Sequence, residues 1–393
     1  MPALLSAEQL GHDLSIRDLT DPASGQHAIQ LVLGRAVRAI RGRWPDRPRW
    51  RRGDRIVPVT DNYDLLGYDP ADVTREARYS RYVAAGWMLR SHSTALIPGA
   101  LRWLAGLPDD GALLVCPGLV YRRDAIDRLH TGTPHQLDLW RLTRQSPALG
   151  AGDLQDMIAA LLGGLLPGAS CRLEGRVHPY TLDGCQIDVY HDGEWVEIGE
   201  AGLAHPDVLR RAGLGGGWTG LAVGLGLDRI LMLTKAIPDI RLLRSADPRV
   251  AAQMRDLDRY RAVSAMPPVS RDLSVAVAAG DQAEDLGDRV RDALGADAGC
   301  VESVQIMTRT PCAELPAPAL ARLGARAEQD NLLVRVVLRG LDRTLTAATA
   351  NLLRDRVYAA IHQGSPRQCS TPGGGWDNWP GTPVGPADQT GAR

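Results

Sequence analysis

Phenylalanine is absent from all 393 residues, and Lys235 is the only lysine among 45 basic side chains. A GC-rich coding sequence accounts for the missing lysine. It accounts poorly for the missing phenylalanine, because nine tyrosines survive on codons equally poor in G and C, and phenylalanine is an ordinary core residue. No apolar run approaches the ~20 residues that cross a bilayer, which excludes a helical membrane protein. The opening MPALLSAEQLGHDLS lacks a basic stretch followed by an apolar core, so no secretory leader is expected and the cytoplasm is the expected compartment. The six cysteines, at 116, 171, 185, 300, 312 and 369, form no CxxC pair, which excludes a zinc ribbon and a disulfide scaffold. An excess of either charge is also lacking. With 45 basic against 46 acidic residues the net charge is −1, so contact with nucleic acid has to use a local patch.

What is present is globular. Hydrophobic residues make up 44% and charged residues 23%, and the length favours two or three domains. Residues 25–44 carry Ile29, Val32, Leu33, Val37 and Ile40 at helical spacing, and a Pro/Arg-rich break follows at 45–54. GALLVCPGLVYRR and HQLDLWRL predict two antiparallel strands around the polar loop DAIDRLHTGTP. Residues 151–166 predict an amphipathic helix, CQIDVYHDGEWVEIGEAGLA a hairpin turning at Asp192-Gly193, and TGLAVGLGLDRILML a strand running into a helix. This is a mixed α+β body. From about 256 the order β-α-β-β-α is ferredoxin-like. The expected division is 1–255, 256–364 and a Pro/Gly-rich tail, 365–393, without pattern and expected to be disordered.

Two segments concentrate chemistry. In Tyr121-Arg122-Arg123-Asp124 through His130 to His135-Gln136-Leu137-Asp138, a strand ending in arginine faces a returning strand with His, Gln and Asp. Such a face suits an anionic nucleotide, because an arginine fork clamps phosphate and stabilises charge on departing pyrophosphate. The other reading is a solvated charged hairpin. In the second segment, glycines at 220, 224 and 226 precede Arg229 at a helix start, which allows close ligand approach or only close packing. It is not a GxGxxG fingerprint.

Together these segments resemble the α subunit of phenylalanyl-tRNA synthetase, a class II aminoacyl-tRNA ligase. YRRDAIDRLHTGTPHQLD is similar to that family's motif 2 and GLAVGLGLDRILMLTKAIPDIR to its motif 3. SIRDLTDPASGQHAIQL, NYDLLGYDPADVTREARYSRY and MLRSHSTALIP resemble the start of its catalytic domain, while HPYTLDGCQIDV and GEAGLAHPDVLR fill the order between the motifs. Residues 259–363, with PPVSRDLS and DRTLTAATANLL, resemble its anticodon-binding domain. The resemblance implies a mixed antiparallel class II catalytic sheet with helices, then a ferredoxin-like α+β domain that binds tRNA. It implies ATP and Mg²⁺ as cofactors, and tRNA with phenylalanine or a relative as partners. Carrying both domains in one chain matches the mitochondrial arrangement, so no obligate β subunit is expected, and that subunit's editing domain has no counterpart here.

By position, the resemblance gives Arg122 the α-phosphate, Asp124 the adenine amino group and Arg229 the γ-phosphate, with His130 in the ATP site. His92, Thr94, Gln136 and Asp138 match positions for the amino acid's polar end, Asp138 standing where the family has Glu. Glu197 is the expected carboxylate near Mg²⁺, or else an exposed hairpin residue. Arg271, Arg335, Arg339 and Arg343 are the tRNA candidates. The side-chain pocket departs from the pattern: His178-Pro179-Tyr180 replaces Phe-Pro-Phe, Pro134 an adenine-stacking Phe and Leu139 a Gly, while Ala222 and Gly224 keep a small floor. A polar or nonstandard amino acid is therefore an alternative substrate, and a non-catalytic tRNA-binding protein is the alternative from another class.

A chain without phenylalanine codons continues to be translated when charged phenylalanine tRNA is scarce. Ribosome profiling during inhibition of the housekeeping synthetase is expected to show its occupancy held while phenylalanine-containing proteins of similar abundance fall. An equal fall leaves coding bias as the explanation.

Overall fold

The computed structural model describes residues 4–77, 79–123, 126–262, 266–341 and 343–365. Strand β1 (Pro48–Trp50) is followed by a small antiparallel sheet of β2 (Ile56–Pro58), β3 (Arg81–Ala84) and β4 (Trp87–Leu89). Then come β5 (Gly111–Leu119), β6 (His135–Thr143), β7 (Cys171–Gly175), β8 (Thr181–His191), β9 (Glu194–Ala204) and β10 (Thr219–Gly226). The large sheet has the order β1-β5-β6-β10-β9-β8-β7 and is antiparallel except where β1 runs parallel to β5. The Pro/Arg-rich break thus contains an edge strand, invisible in the sequence because three residues carry no periodicity.

Both faces of the sheet centre are covered, which is why β5 reads as a continuous apolar run. On one face, helices Ala28–Arg43, Ala151–Leu165 and Leu227–Lys235 bury Leu113, Val115, Leu137, Leu139 and Val223. On the other, helix Ile97–Ala105 covers Leu114, Trp140, Leu142 and Ala222 near one end. The hairpin β8–β9 turns at Asp192 (φ 48°) and Gly193 (φ 91°), the left-handed pair that a tight two-residue turn requires.

A second unit holds β11 (Val269–Ala278), β12 (Val301–Pro311) and β13 (Gln329–Leu338) in the order β11-β13-β12, all antiparallel. Helices Ala283–Leu294 and Ala347–Ile361 close its core over Val275, Val277, Val334 and Val336. After the last helix the Gln363 amide donates to Ala276 O at 2.7 Å, so the chain starts along the open edge of β11. Apart from Ser365, the expected tail lies outside the described residues. The units touch through the β5–β6 loop: Ile126 is buried in the second core, its carbonyl accepts from the Val304 amide at 3.0 Å, and Arg123 pairs with Asp288 at 2.8 Å.

The lone lysine has a structural task. Lys235, wholly buried at the end of its helix, donates to the carbonyls of Asp256 (3.1 Å) and Asp258 (2.6 Å) and to the Asp256 carboxylate (2.8 Å). With Leu257 and Tyr260 packed on the first core, it fastens the segment leading to the second unit. Its carboxylate partner is half exposed and contributes little. Lys235→Ala, which strands two carbonyls and opens a cavity, is expected to cost about 2–4 kcal/mol in urea unfolding, unrelieved by Lys235→Arg. An unchanged midpoint in the alanine variant contradicts this.

Candidate active site

Strand alternation places one set of side chains on the open part of a sheet face. Gln136 and Asp138 on β6, Ala222 and Gly224 on β10, and Glu200 on β9 share that face, with Gly224 opposite both Asp138 and Glu200. They line a cleft of about 770 Å³ and a nook beside it. Close approach sets the glycine at 199, where a Cβ would stand 2.2 Å from the Gly224 carbonyl.

The outer end is cationic. Arg122, just beyond β5, donates through Nε to the Ser91 carbonyl at 3.2 Å, leaving the rest of its guanidinium toward the cleft. Arg229, in the first turn of helix Leu227–Lys235, donates to His130 Nε2 at 2.8 Å and to the Glu197 carbonyl at 3.0 Å, with the Glu197 carboxylate 3.9 Å away. His130 Nδ1 in turn lies 2.7 Å from Asp127. The neighbouring Asp228 fixes this end: its carboxylate accepts from the His135 amide at 2.5 Å and from His135 Nδ1 at 2.9 Å, wholly buried. Burial alone would raise the Asp228 carboxyl, but the imidazole beside it holds it below the usual value.

The inner end is polar and largely buried. Asp138 accepts from Ser93 Oγ at 2.5 Å, Thr94 Oγ1 at 3.2 Å and Trp140 Nε1 at 3.3 Å, while the Gln136 side-chain oxygen accepts from the Ser93 amide at 3.1 Å. Burial raises the Asp138 carboxyl to about 6, against those hydrogen bonds, and Glu200 adds to the rise. Burial pushes His92 down to about 3, and Arg122 acts in the same direction, so its imidazole is neutral. His92 stacks on Tyr68 with centroids 5.9 Å apart and planes 28° apart, Tyr68 lies 6.2 Å from Tyr180, and Tyr180 lies 5.3 Å from His178. His178 Nε2 meets the Glu200 carboxylate at 2.9 Å.

Of the residues singled out by sequence, Arg122, His130, Arg229, Glu197, His92, Gln136, His178, Tyr180 and Gly224 all line the cleft. Asp138 and Ala222 line the nook, and Thr94 stands behind Asp138. Asp124 lies outside the described residues. Arg271, Arg335, Arg339 and Arg343 belong to the second unit, away from the cleft: Arg271 donates to Asn351, Arg335 pairs with Asp272 and Arg339 with Glu302, and Arg343 is exposed. Sequence reasoning named His135 in its segment without assigning it a role, and missed Tyr68, Ser93, Asp228, Thr181 and Glu200. Alternation along β9 and the position beside Arg229 point to Glu200 and Asp228; nothing local points to Tyr68, Ser93 or Thr181.

A family profile described as the tRNA synthetases class II core domain (F) matches residues 50–254. A phenylalanine–tRNA ligase α subunit from Deinococcus radiodurans is 30% identical over 280 residues, covering 65% of this chain and 76% of the relative. One from Prochlorococcus marinus is 28% identical over 242 residues, covering 60% and 69%. A probable mitochondrial phenylalanine–tRNA ligase from Drosophila melanogaster is 25% identical over 366 residues, covering 78% and 75%.

The Asp138 carboxyl binds its proton more tightly folded, near 6, than at the ordinary 3.8, so its contribution to stability is fully present below 3.8 and is lost as pH rises through 6. At 1.36 kcal/mol per unit, Asp138→Asn is expected to gain roughly 2–3 kcal/mol on wild type between about pH 4 and pH 7. Urea melts of both proteins across that range check this, and a flat difference rejects it.

Proposed function

The chain belongs to the class II tRNA synthetases of the phenylalanine–tRNA ligase family, and we propose that its cleft joins ATP to an amino acid of the phenylalanine class and passes the product to tRNA. The carrying observation is the polarity of the cleft, cationic at Arg122 and Arg229 and acidic at Asp138. Arg122 holds the α-phosphate and Arg229 the γ-phosphate, His130 and Asp124 complete the nucleotide site, and Asp138, Gln136, Thr94 and neutral His92 hold the amino acid's polar end. The amino acid carboxylate attacks the α-phosphorus, the bond to pyrophosphate breaks, and the two arginines stabilise the charge that leaves. A terminal tRNA hydroxyl then attacks the activated carbonyl and AMP departs. Fixing both reactants on one sheet face supplies the orientation.

Among the described residues no three His, Cys, Asp or Glu side chains form a metal cage. The Glu197 carboxylate, open to the cleft beside Arg229, fits the one-carboxylate sites of Mg²⁺, which takes its other ligands from phosphate and water. Bound there, Mg²⁺ would neutralise phosphate charge.

The second unit is read as the tRNA-binding domain. Support comes from the Drosophila relative, whose match covers 78% of the chain and so extends past the catalytic body, in keeping with a one-chain enzyme. With Arg335 and Arg339 engaged by carboxylates and Arg271 by Asn351, RNA contact depends on their exchanging partners or on Arg343. No described helix is long and apolar enough to cross a membrane, and the cytoplasm is the compartment this reading assigns.

Arg122→Ala and Arg229→Ala are each expected to lower amino-acid-dependent ATP–pyrophosphate exchange by at least about 10²–10³-fold with the fold intact by circular dichroism. Wild-type exchange in both variants overturns the assignment.

A further inference from the structure

Behind Gly224 the cleft continues into a nook of about 10 Å³, the scale at which a cavity holds a single water molecule. Its lining is polar where a pocket for a bare ring would be apolar: Glu200, His178, Tyr180 and Thr181 surround it beside Asp138. His178 is already engaged with Glu200 at 2.9 Å. Thr181 is different. It is 9% exposed, and its Oγ1 has no hydrogen-bond partner among the described residues. A buried hydroxyl left without a partner in a native fold requires an explanation, and here it stands at the wall of a space that admits one heavy atom.

We propose that this nook receives a hydroxyl group carried on the ring of an aromatic α-amino acid, so that the substrate is a hydroxylated relative of phenylalanine. This rests on the ligase reading and deepens it. A hydroxyl both donates and accepts: it accepts from Thr181, whose Oγ1 has no partner among the described residues, and donates to the Glu200 carboxylate, which keeps acceptor capacity beside its contacts with His178 (2.9 Å) and Arg176 (3.6 Å). A ring carboxylate is excluded by the negative charge of Glu200 with Asp138 behind it. A bare ring leaves Thr181 unpaired and strips water from Glu200, the condition under which sites built for a polar group reject an apolar analogue. The nook's volume limits the substituent to one heavy atom.

The test is ATP–pyrophosphate exchange by the full chain with phenylalanine, tyrosine, 2-hydroxyphenylalanine and 3-hydroxyphenylalanine as probes. At least one hydroxylated probe is expected to exceed phenylalanine in kcat/KM by about 100-fold or more. Thr181→Val is expected to lower that ratio at least about tenfold. Phenylalanine exchanging as well as or better than every hydroxylated probe overturns the inference and leaves the ligase reading standing. Exchange with none of the four overturns both the hydroxyl inference and an aromatic substrate, and a wider amino-acid panel then decides whether ligase activity remains.

Discussion

The buried pair of His135 and Asp228 is the constraint on which the site depends. Asp228 accepts both the backbone amide and the ring Nδ1 of His135, while His135 Nε2 meets the Leu19 amide at 3.1 Å and Arg244 at 3.0 Å. One carboxylate therefore fastens the first residue of β6 to the first turn of the helix that follows β10. Arg229 is the next residue after Asp228, and Gln136 the next after His135, so the cationic and acidic ends of the cleft take their spacing from this contact. A buried carboxylate without such partners would be costly; with an imidazole and a backbone amide on it the ion is compensated.

Charge is sorted along the cleft by the same economy. Arg122 is oriented by the Ser91 carbonyl, and Arg229 by the His130 ring and the Glu197 carbonyl, with the Glu197 carboxylate 3.9 Å away. Arg123, one residue on, is consumed by Asp288 of the second unit. At the inner end the acid is held by hydroxyls and an indole, groups that orient a carboxylate yet leave it able to meet an ammonium. Neutral His92 adds polarity there without adding a competing positive charge.

Most elements could be read from sequence because their signals are local. The helix Ala28–Arg43 announces itself by spacing, the β8–β9 turn by Asp-Gly, and the motif strands by apolar runs. Of the site residues named from the sequence, Arg122, His130, Gln136, Asp138, Ala222, Gly224 and Arg229 lie in two segments that the β6–β10 pairing brings together, while His92, Thr94, His178, Tyr180 and Glu197 come from other segments. What escaped has no local signature. Tyr68 reaches the site from the segment between β2 and β3, and Thr181 is unremarkable until β8 pairs with β9 and leaves its hydroxyl without a partner. Likewise the tRNA arginines were chosen for charge alone, and sequence spacing does not reveal that Asp272 and Glu302 sit across from Arg335 and Arg339.

Composition then separates positions that need volume from positions that need a donor or acceptor. The second core has Tyr358 as its one aromatic among the described residues and is otherwise filled by aliphatic side chains, so packing there dispenses with phenylalanine. Buried tyrosines elsewhere are not phenylalanine substitutes, since Tyr63 donates to Thr74 O at 2.8 Å and Tyr121 to Asp13 O at 3.0 Å. The single lysine, Lys235, sits in a buried site where its compact ammonium meets three oxygen acceptors. Where shape alone matters, leucine, valine and isoleucine fill most of the space. At 178, 180 and 181 stand histidine, tyrosine and threonine instead, lining a nook with Glu200. The polarity of that pocket is thus not a by-product of losing phenylalanine; it marks positions where hydrogen-bonding groups, rather than volume, are what the site uses.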